Sequence, residues 1–389
     1  MREFFHLFCY HYPIMSLNLL TFYHFVSIPD IQEHIREHLQ FTKDIGMKGR
    51  IYIWPEGISA TLSGNNGQIS AYRLYLSSKP YYQDIPDIDI KSTKVDEYYF
   101  DRMIVKYRDE IVALNYPVTP NDVHTYKQEV TIQQVKLLID HRDRDWSYHV
   151  WNQTFTGKPS DHVVLLDMRN SYEYKLWHYK YAIPSWTVNF REMKTLLDEY
   201  QTRFSWKIVV MYCTGGIRCE KLAVMLHKNG LNNFYSIEWG IVKYVNTYND
   251  GNRLGNLYTF DGRVSTRVGD TTTHTTIGHC IYSDNLTDHI ENCRYSPCNA
   301  RIICQPSAYR KYLWFCSKEC CDRAIHNLRV KNIKRDKWDY QRIRDDIKKH
   351  PETQAEYSHI IGNFYHSRIG QLERRHLTSQ KEEYIDCEC

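Results

Sequence analysis

The sequence has no apolar run long enough to cross a membrane. Hydrophobic residues make up 42% of its 389 residues, enough for buried cores. No stretch approaches the roughly 20 consecutive apolar residues that a transmembrane helix needs. The opening segment MREFFHLFCYHYPIM is apolar, but His6, Tyr10 and His11 interrupt it and no clear small-residue cleavage site follows. We therefore expect a soluble, cytoplasmic protein that does not bind membranes.

Two cofactor patterns are also missing. No G-x-G-x-x-G motif follows an apolar strand, so the sequence carries no flavin or NAD signature. No pair of histidines with a carboxylate stands out as an iron site. The net charge of +4 is too small to indicate a nucleic-acid partner by itself. Function must therefore be read from local motifs.

Cysteine is unevenly distributed along the chain. Seven of the twelve cysteines lie between Cys280 and Cys321, and Cys213 and Cys219 form a separate pair. A chain without an export signal is expected to keep its thiols reduced. This clustering favours metal or redox chemistry over a framework of disulfides.

The N-terminal residues 1–128 have the pattern of a small α+β domain. The segment LNLLTFYHFV predicts a strand, and PDIQEHIREHLQFTKDIG predicts a helix with Ile31, Ile35 and Leu39 on its apolar face. Two short strands, a second helix and a closing strand then follow, in GRIYIWPEG, SATLSG, NGQISAYRLYL and MIVKYRDEIVAL. This β-α-β-β-α-β order predicts a ferredoxin-like unit, with a generic α+β domain as the alternative.

Residues 129–250 alternate between strand and helix patterns. TIQQVKLLI and CEKLAVMLHKNG predict helices, the second of them amphipathic, and HVVLLDMR, KIVVMYC and NFYSIEWG predict buried strands. Such alternation is typical of an α/β domain with a parallel sheet. Functional groups of these sheets gather at the carboxyl ends of the strands, where Cys213 ends one strand.

The loop after this strand has the composition of an anion site. It consists of Thr214, Gly215, Gly216 and Ile217, followed by Arg218 and Cys219. Glycines can adopt positive φ and turn successive N–H groups inward, and the next helix adds its positive end. The simplest anion to be held there is the Cys213 thiolate, with Arg218 lowering its pKa. The alternative is a buried structural cysteine beside a tight turn.

These segments carry a family resemblance. LLDMRNSYEYKLWHYKYAIP and VVMYCTGGIRCEKLAVMLHKNGLNNFYSIEWGIVKY resemble a rhodanese domain, and MYCTGGIRCEK resembles the active-site signature of the rhodanese-like tRNA uridine 5-hydroxylases. GRIYIWPEGISATLSG resembles the N-terminal, acylphosphatase-like domain of that family. GNLYTFDGRV and the cysteine-rich stretch resemble its C-terminal region. The resemblance covers nearly the whole chain.

The resemblance implies an enzyme that acts on the anticodon loop of tRNA. It would hydroxylate carbon 5 of the wobble uridine, with molecular oxygen as co-substrate. Cys213 would be the essential thiol, and Arg218 with the glycines would shape its pocket. Cys219 would be either a second redox-active thiol or a packed residue. Asp167 and Arg169 match a rhodanese segment, where we expect a buried ion pair.

The region 251–389 combines a cysteine cluster with a basic segment. The metal ligands that we predict are Cys293, Cys298, Cys316 and Cys320, which have the spacings CRYSPC and CSKEC. Ser283, Leu286, Ser307 and Phe315 stand where the resembling family tends to have further cysteines. One structural zinc site and a metal-free domain held by its apolar core both stay open.

The segment 322–350 is basic and contains aromatic residues. It has ten Lys or Arg residues and five Asp residues, and it also contains Trp338 and Tyr340. Cations bind phosphates and aromatic rings stack on unpaired bases, so we predict tRNA contacts at Lys334, Arg335 and Lys337. A solvated charged helix is the alternative.

Two other classes of function fit the central loop. A sulfurtransferase would carry a persulfide on Cys213, and the loop alone fits this equally well. The additional domains and the basic segment favour a macromolecular substrate. A non-catalytic binding module is disfavoured because the cysteine is present.

Overall fold

The computed structural model describes residues 17–82, 91–95, 97–248, 251–258, 265–266, 275–295, 297–298, 300–312 and 314–323. Within these ranges no helix is both long and apolar enough to cross a membrane. Two compact units are present. The first comprises the described parts of 1–127 with 220–228, and the second contains most of the remaining described chain.

The first unit contains a five-stranded sheet packed against two helices. Its elements are β1 (Leu17–Phe25), α1 (Ile31–Asp44), β2 (Lys48–Trp54), β3 (Gly57–Asn65), α2 (Asn66–Ser77), β4 (Lys91–Val95), β5 (Met103–Tyr107) and α3 (Pro120–Tyr126). The strand order is β4-β1-β3-β2-β5, and the first four strands pair antiparallel. The predicted ferredoxin-like order is confirmed.

The closing strand of this sheet differs from the predicted one. The polar segment KSTKV forms β4, which pairs with β1. The predicted segment MIVKYRDEIVAL instead supplies β5, a fifth strand parallel to β2 at the other edge. Hydrophobic periodicity gave the wrong strand because KSTKV is nearly devoid of apolar residues.

Helix α1 buries a different face from the predicted one. Its buried residues are His34, His38 and Thr42. Ile31 and Ile35 are only half-buried, and Leu39 is 41% exposed. His38 Nδ1 lies 3.1 Å from the Tyr72 hydroxyl, and burial lowers the pKa of His38 to about 3. The neutral imidazole therefore behaves as a core aromatic residue, which a count of apolar positions does not detect.

The second unit is built on a five-stranded parallel sheet. Its first elements, with the helix shared between the units, are β6 (Glu129–Val130), α4 (Ile132–Asp140), β7 (Trp146–Val150), β8 (Gln153–Gly157), α5 (Pro159–His162), β9 (Val163–Asp167), α6 (Ser171–Leu176), β10 (Trp177–Tyr179), β11 (Ile183–Pro184), α7 (Leu197–Phe204), β12 (Ile208–Tyr212), α8 (Ile217–Lys228), β13 (Phe234–Ile237) and α9 (Gly240–Thr247). The order β11-β9-β12-β13-β6 is parallel throughout. The predicted α/β architecture is confirmed.

Strand β12 occupies the centre of this sheet. All five of its residues are buried, and it pairs with β9 on one side and β13 on the other. A parallel strand covered on both faces is expected to be an uninterrupted apolar run, as IVVMY is. Cys213 follows the carboxyl end of β12, as the sequence predicts.

Helix α8 is not amphipathic, contrary to prediction. Residues 218–227 are all buried. Lys221 has no exposed surface, and its Nζ atom lies 2.8 Å from a carboxylate oxygen of Glu56 and 2.8 Å from one of Glu110, all three in the first unit. A buried charge is tolerated when it is paired, so polar positions in the sequence did not mark a solvent-facing side.

The remaining described elements belong to the cysteine-rich region. They are β14 (Arg253–Gly255), β15 (Leu257–Tyr258), β16 (Ser265–Thr266), β17 (Ile290–Asn292), β18 (Arg301–Ile303) and α10 (Pro306–Lys311). The antiparallel hairpin of β17 and β18 is followed at each strand end by a cysteine, Cys293 and Cys304. Lys334, Arg335 and Lys337 lie outside the described residues. The domain limits at 128 and 250 stay predictions.

Candidate active site and metal centre

The Cys213 sulfur is enclosed by the loop that follows β12. The backbone N–H of Gly216 donates a hydrogen bond to Cys213 Sγ at 3.2 Å. Gly216 has a positive φ of 99°, whereas Gly215 does not, so one of the two glycines supplies the predicted turn. Cys213 has no exposed surface. A substrate atom can therefore reach this sulfur only if the loop yields.

The surroundings of Cys213 favour its charged form. Burial alone would raise the pKa of this thiol. A hydrogen bond from the Cys219 thiol, the Arg218 charge and the backbone N–H groups of Cys219 and Arg218 outweigh burial and lower the pKa to about 5. The sulfur is therefore a thiolate at neutral pH, the form that acts as a nucleophile.

Arg218 does not face the thiolate as an isolated cation. Its guanidinium donates to both carboxylate oxygens of Glu173, at 2.7 and 2.9 Å, and to the Thr214 hydroxyl at 3.0 Å. Arg218 and Glu173 are both buried, and the Arg218 charge contributes to holding the pKa of Glu173 below its usual range against the effect of burial. The pair keeps Arg218 beside the loop while limiting its field.

Glu173 is fixed by the start of α6. Asn170 and Glu173 form a capping box, in which the Asn170 backbone N–H donates to Glu173 at 3.1 Å. The Asn170 side-chain amide also donates to Glu173 at 2.8 Å. The carboxylate therefore has a fixed direction toward Arg218.

A second buried ion pair lies at the end of β9. The Arg169 Nη2 atom donates to Asp167 at 2.6 Å and its Nε atom to the same carboxylate at 2.9 Å. Tyr212, the last residue of β12, pairs with Asp167 across the sheet. Arg169 also stacks over the rings of Trp177 and Tyr212. This is the structural pairing that the sequence predicts for the two residues.

Cys219 is the protonated partner of Cys213. Burial raises its pKa well above the usual range, and the hydrogen bond to the charged Cys213 sulfur raises it further. Cys219 has no exposed surface. The site therefore contains one thiolate and one thiol joined by a hydrogen bond.

Helix α9 makes backbone hydrogen bonds to the loop that follows β12. The N–H of Ile241 donates to the Cys213 carbonyl at 3.0 Å, and that of Val242 to the Thr214 carbonyl at 3.1 Å. A Cβ atom at Gly240 would lie 2.3 Å from the Cys213 carbonyl oxygen. Gly240 also has a φ of 60°, so any other residue would displace the loop.

Sequence reasoning missed Glu173 and Gly240. Glu173 is separated from Arg218 by 45 positions, and nothing local in SYEYKL indicates an active-site pairing. The only available signal for Gly240 is the EWG that ends the third predicted strand. Both residues act on Cys213 through the loop.

Four cysteines of the C-terminal region form a compact group. Their Sγ atoms all lie within 4.8 Å of one another, and they are Cys293, Cys298, Cys316 and Cys320. The sulfurs of Cys298 and Cys316 are 3.6 Å apart, and those of Cys316 and Cys320 are 3.5 Å apart. A zinc ion with Zn–S bonds of about 2.3 Å requires sulfurs nearly this close. The structure thus brings together the four predicted ligands.

The hairpin geometry supports this group. The backbone N–H of Cys316 donates to Cys293 Sγ at 3.4 Å, and hydrogen bonds from the neighbouring thiols lower the pKa of Cys298. His279 and His289 lie outside the group within the described residues, the first beside Asp284 and the second beside Glu291. The donor set is therefore four sulfurs.

Comparison with known proteins assigns the class. Residues 17–111 match the UPF0176 acylphosphatase-like domain, residues 151–247 the rhodanese-like domain and residues 254–321 the rhodanese C-terminal domain. The fold and the cysteine loop define a rhodanese-domain protein of this three-part type.

Curated relatives narrow the class to one family. The chain is 32% identical to a tRNA uridine(34) hydroxylase of Bacillus velezensis, over 78% of this chain and 87% of the relative. It is 31% identical to that of Staphylococcus carnosus, over 81% and 94%, and 28% identical to that of Staphylococcus aureus, over 86% and 100%. The chain belongs to the tRNA uridine(34) hydroxylase family.

Proposed function

We propose that this protein hydroxylates carbon 5 of the wobble uridine of tRNA, with molecular oxygen as co-substrate and 5-hydroxyuridine as product. One observation carries the proposal: a chain of this family holds a buried Cys213 thiolate at the carboxyl end of the central strand. A cytoplasmic location belongs to the same proposal.

The substrate must bring a single base to a buried sulfur. An anticodon loop presents unpaired bases that can be turned out into a pocket at a smaller energetic cost than a base in a duplex. Cys213 would act as the nucleophilic group. Arg218, oriented by Glu173, would stabilise negative charge at that sulfur or on a substrate oxygen beside it.

Sulfur transfer is the competing function. The loop that holds the Cys213 thiolate would also hold a persulfide there. Its geometry therefore does not discriminate between hydroxylation and sulfur transfer. Nucleoside mass spectrometry of tRNA from a deletion strain separates them. Loss of 5-hydroxyuridine derivatives supports hydroxylation, whereas loss of thiolated nucleosides with 5-hydroxyuridine intact would overturn it.

Purified components provide the direct assay. Wild-type protein, unmodified tRNA and ¹⁸O₂ should give one labelled oxygen on the wobble uridine. Oxygen taken from H₂¹⁸O would refute the role of molecular oxygen. Anaerobic product formation would do the same.

The four-cysteine group is proposed to hold one structural zinc. The sulfur spacing fits a closed tetrahedral site without an open position for substrate. Zinc would contribute folding energy and charge neutralisation there, and Cys293, Cys298, Cys316 and Cys320 would hold it.

The basic segment is proposed to contact tRNA. Changing Lys334, Arg335 and Lys337 to Glu should weaken tRNA binding and flatten its salt dependence, because each lost phosphate contact removes about 0.7 to 0.9 from the log–log slope. A matched change of Asp336, Asp339 and Asp345 to Asn should not reduce affinity. Equal slopes for the charge-reversed and wild-type proteins would show that the segment makes no phosphate contacts.

A further inference from the structure

A hydroxylation that uses molecular oxygen has an electron requirement beyond the substrate. One oxygen atom enters the product and the other must leave as water. Oxidation of the carbon–hydrogen bond supplies two of the four electrons, so two more must come from a reductant. Two thiols that close to a disulfide release two electrons.

The active-site loop contains two such thiols, one at each end. Cys213 follows β12 and Cys219 lies in the first turn of α8, five residues further along. Both residues therefore flank one short loop, whose Gly216 N–H donates to the Cys213 sulfur at 3.2 Å. A hydrogen bond between the two thiols contributes to the low pKa of Cys213 and to the raised pKa of Cys219. Neither residue has exposed surface, so the pair is shielded from exchange with thiols in solution while the loop is closed.

We propose that Cys213 and Cys219 are the reductant of the reaction, delivering two electrons to the second oxygen atom and closing to a disulfide in every turnover. This inference rests on the proposed oxygen-dependent hydroxylation. An external dithiol must reopen the disulfide before the next turnover. The inference gives Cys219 a chemical role instead of a packing role.

The step balances in atoms and electrons. Oxygen first forms a bond to carbon 5, the carbon–hydrogen bond breaks, and its proton ends on the outer oxygen, which gives a hydroperoxide. The Cys213 thiolate then attacks that outer oxygen, the oxygen–oxygen bond breaks, and a proton completes the product hydroxyl. Cys213 is then a sulfenic acid. Cys219 attacks that sulfur, the sulfur–sulfur bond forms, the sulfur–oxygen bond breaks, and water leaves with the Cys219 proton. Uridine, oxygen and two thiols thus yield hydroxyuridine, water and one disulfide.

The electrostatics of the pair order these two attacks. Cys213 is a thiolate in the resting site, whereas burial and the neighbouring charge keep Cys219 protonated. Oxidation of Cys213 removes the negative charge that raises the pKa of Cys219. Cys219 therefore becomes more acidic when its thiolate is needed, and less able to attack before then.

A single-turnover experiment tests the inference. Enzyme is reduced, freed of reductant, and mixed with unmodified tRNA in air. We expect about one 5-hydroxyuridine per enzyme, the loss of two thiols, and a peptide pair joined by a 213–219 disulfide in mass spectrometry. Added dithiothreitol should restore repeated turnover. One hydroxyuridine formed with both thiols retained would overturn the inference.

The Cys219→Ser variant sharpens the test. It should still complete one turnover and then stop with Cys213 as a sulfenic acid, which dimedone traps. Wild-type enzyme should give little dimedone adduct because Cys219 resolves it. A matched variant, Cys304→Ser, removes a buried cysteine that belongs neither to the active-site loop nor to the four-sulfur group, and its turnover should match that of wild type. A Cys219→Ser enzyme that turns over repeatedly without added thiol would refute the role of Cys219.

The two proposals fail in distinguishable ways. If wild-type enzyme forms no 5-hydroxyuridine with any reductant, the proposed function fails. If it forms labelled product from ¹⁸O₂ while Cys213 and Cys219 stay reduced, the hydroxylase stands and the dithiol inference fails. Folding of Cys219→Ser is checked by its thermal unfolding, and a Cys219→Ala variant replaces it if it does not fold.

Discussion

The two groups of cysteines in this chain differ in the groups that surround their sulfur atoms. At the active-site loop, one thiolate is stabilised by backbone N–H groups, a neighbouring thiol and an arginine that is itself paired with Glu173. In the C-terminal group, four sulfurs lie within 4.8 Å of one another, and the contacts among them are largely sulfur to sulfur. The first arrangement stabilises one thiolate with donors other than sulfur as well as a thiol. In the second, hydrogen bonds among the sulfurs lower the pKa of Cys298 and raise the pKa values of Cys316 and Cys320.

The difference teaches what each group can do. A single thiolate that is stabilised by hydrogen-bond donors and a paired arginine can still act as a nucleophile, provided that substrate can reach it. Four thiolates repel one another unless a cation lies between them, and a cation with four sulfur ligands has no open position. Reactivity is therefore expected at Cys213, and structural metal binding at the second group.

The largest effect is expected from the nucleophile. Cys213→Ser should reduce hydroxylation by roughly a thousandfold or more, because a hydroxyl near neutral pH is a poor nucleophile and cannot be oxidised as a thiolate is. Zinc content and thermal unfolding should stay as in wild type. Product formation by purified enzyme on unmodified tRNA measures the effect. Activity within tenfold of wild type would remove Cys213 from the chemistry.

The next largest effect contrasts two adjacent cysteines. Cys320 belongs to the four-sulfur group and Cys321 does not, although both are largely covered. Cys320→Ser should abolish stoichiometric zinc and lower the unfolding temperature by about 10 °C, whereas Cys321→Ser should keep one zinc per chain. Metal analysis and calorimetry measure both. Equal zinc in the two variants would rule out the four-sulfur site.

Local sequence signals predicted the elements that carry the site. An uninterrupted apolar strand ending in Cys213, with glycine and a helix after it, is a signal contained within about twenty residues. The first five elements of the ferredoxin-like order were readable for the same reason, whereas its closing strand KSTKV was not. Each of these features depends on neighbours in the chain, so periodicity and turn chemistry were sufficient.

Features that depend on distant partners were not predictable. Glu173 pairs with Arg218 only because the fold brings α6 to the loop. His38 and Lys221 are buried although their side chains are polar, the first because its ring is neutral and the second because Glu56 and Glu110 pair with it. A single sequence contains no record of these partners, so the buried faces of α1 and α8 were assigned wrongly.

A moderate effect is expected when the Arg218–Glu173 pair is altered. Arg218→Met removes a positive charge and should raise the pKa of Cys213 above about 5. Glu173→Gln leaves the Arg218 charge less neutralised and should lower the pKa of Cys213 further. It should also cost roughly 3 kcal/mol of stability, because it breaks a buried ion pair. The pH dependence of Cys213 alkylation by a small reagent measures both shifts.

The opposite signs make this test specific. A general loosening of the loop would move the alkylation rates of both variants in one direction without separating their midpoints. Asn170→Ala, which removes the capping contact to Glu173 but no charge, serves as the control. Midpoints that shift in the same direction for Arg218→Met and Glu173→Gln would show that the pair does not set the charge state of Cys213.

The smallest effect is expected at Cys280 and Cys304. Both are buried, and Cys280 Sγ accepts a hydrogen bond from the Gln305 N–H at 3.3 Å, but neither belongs to a group of four sulfurs within the described residues. Cys280→Ser and Cys304→Ser should each cost about 1 kcal/mol of stability, keep one zinc per chain and leave hydroxylation within about twofold of wild type. Metal analysis with activity on tRNA checks this. Loss of zinc from either variant would show that the metal centre extends beyond the four-sulfur group, because Cys280 or Cys304 would then be required to hold the ion.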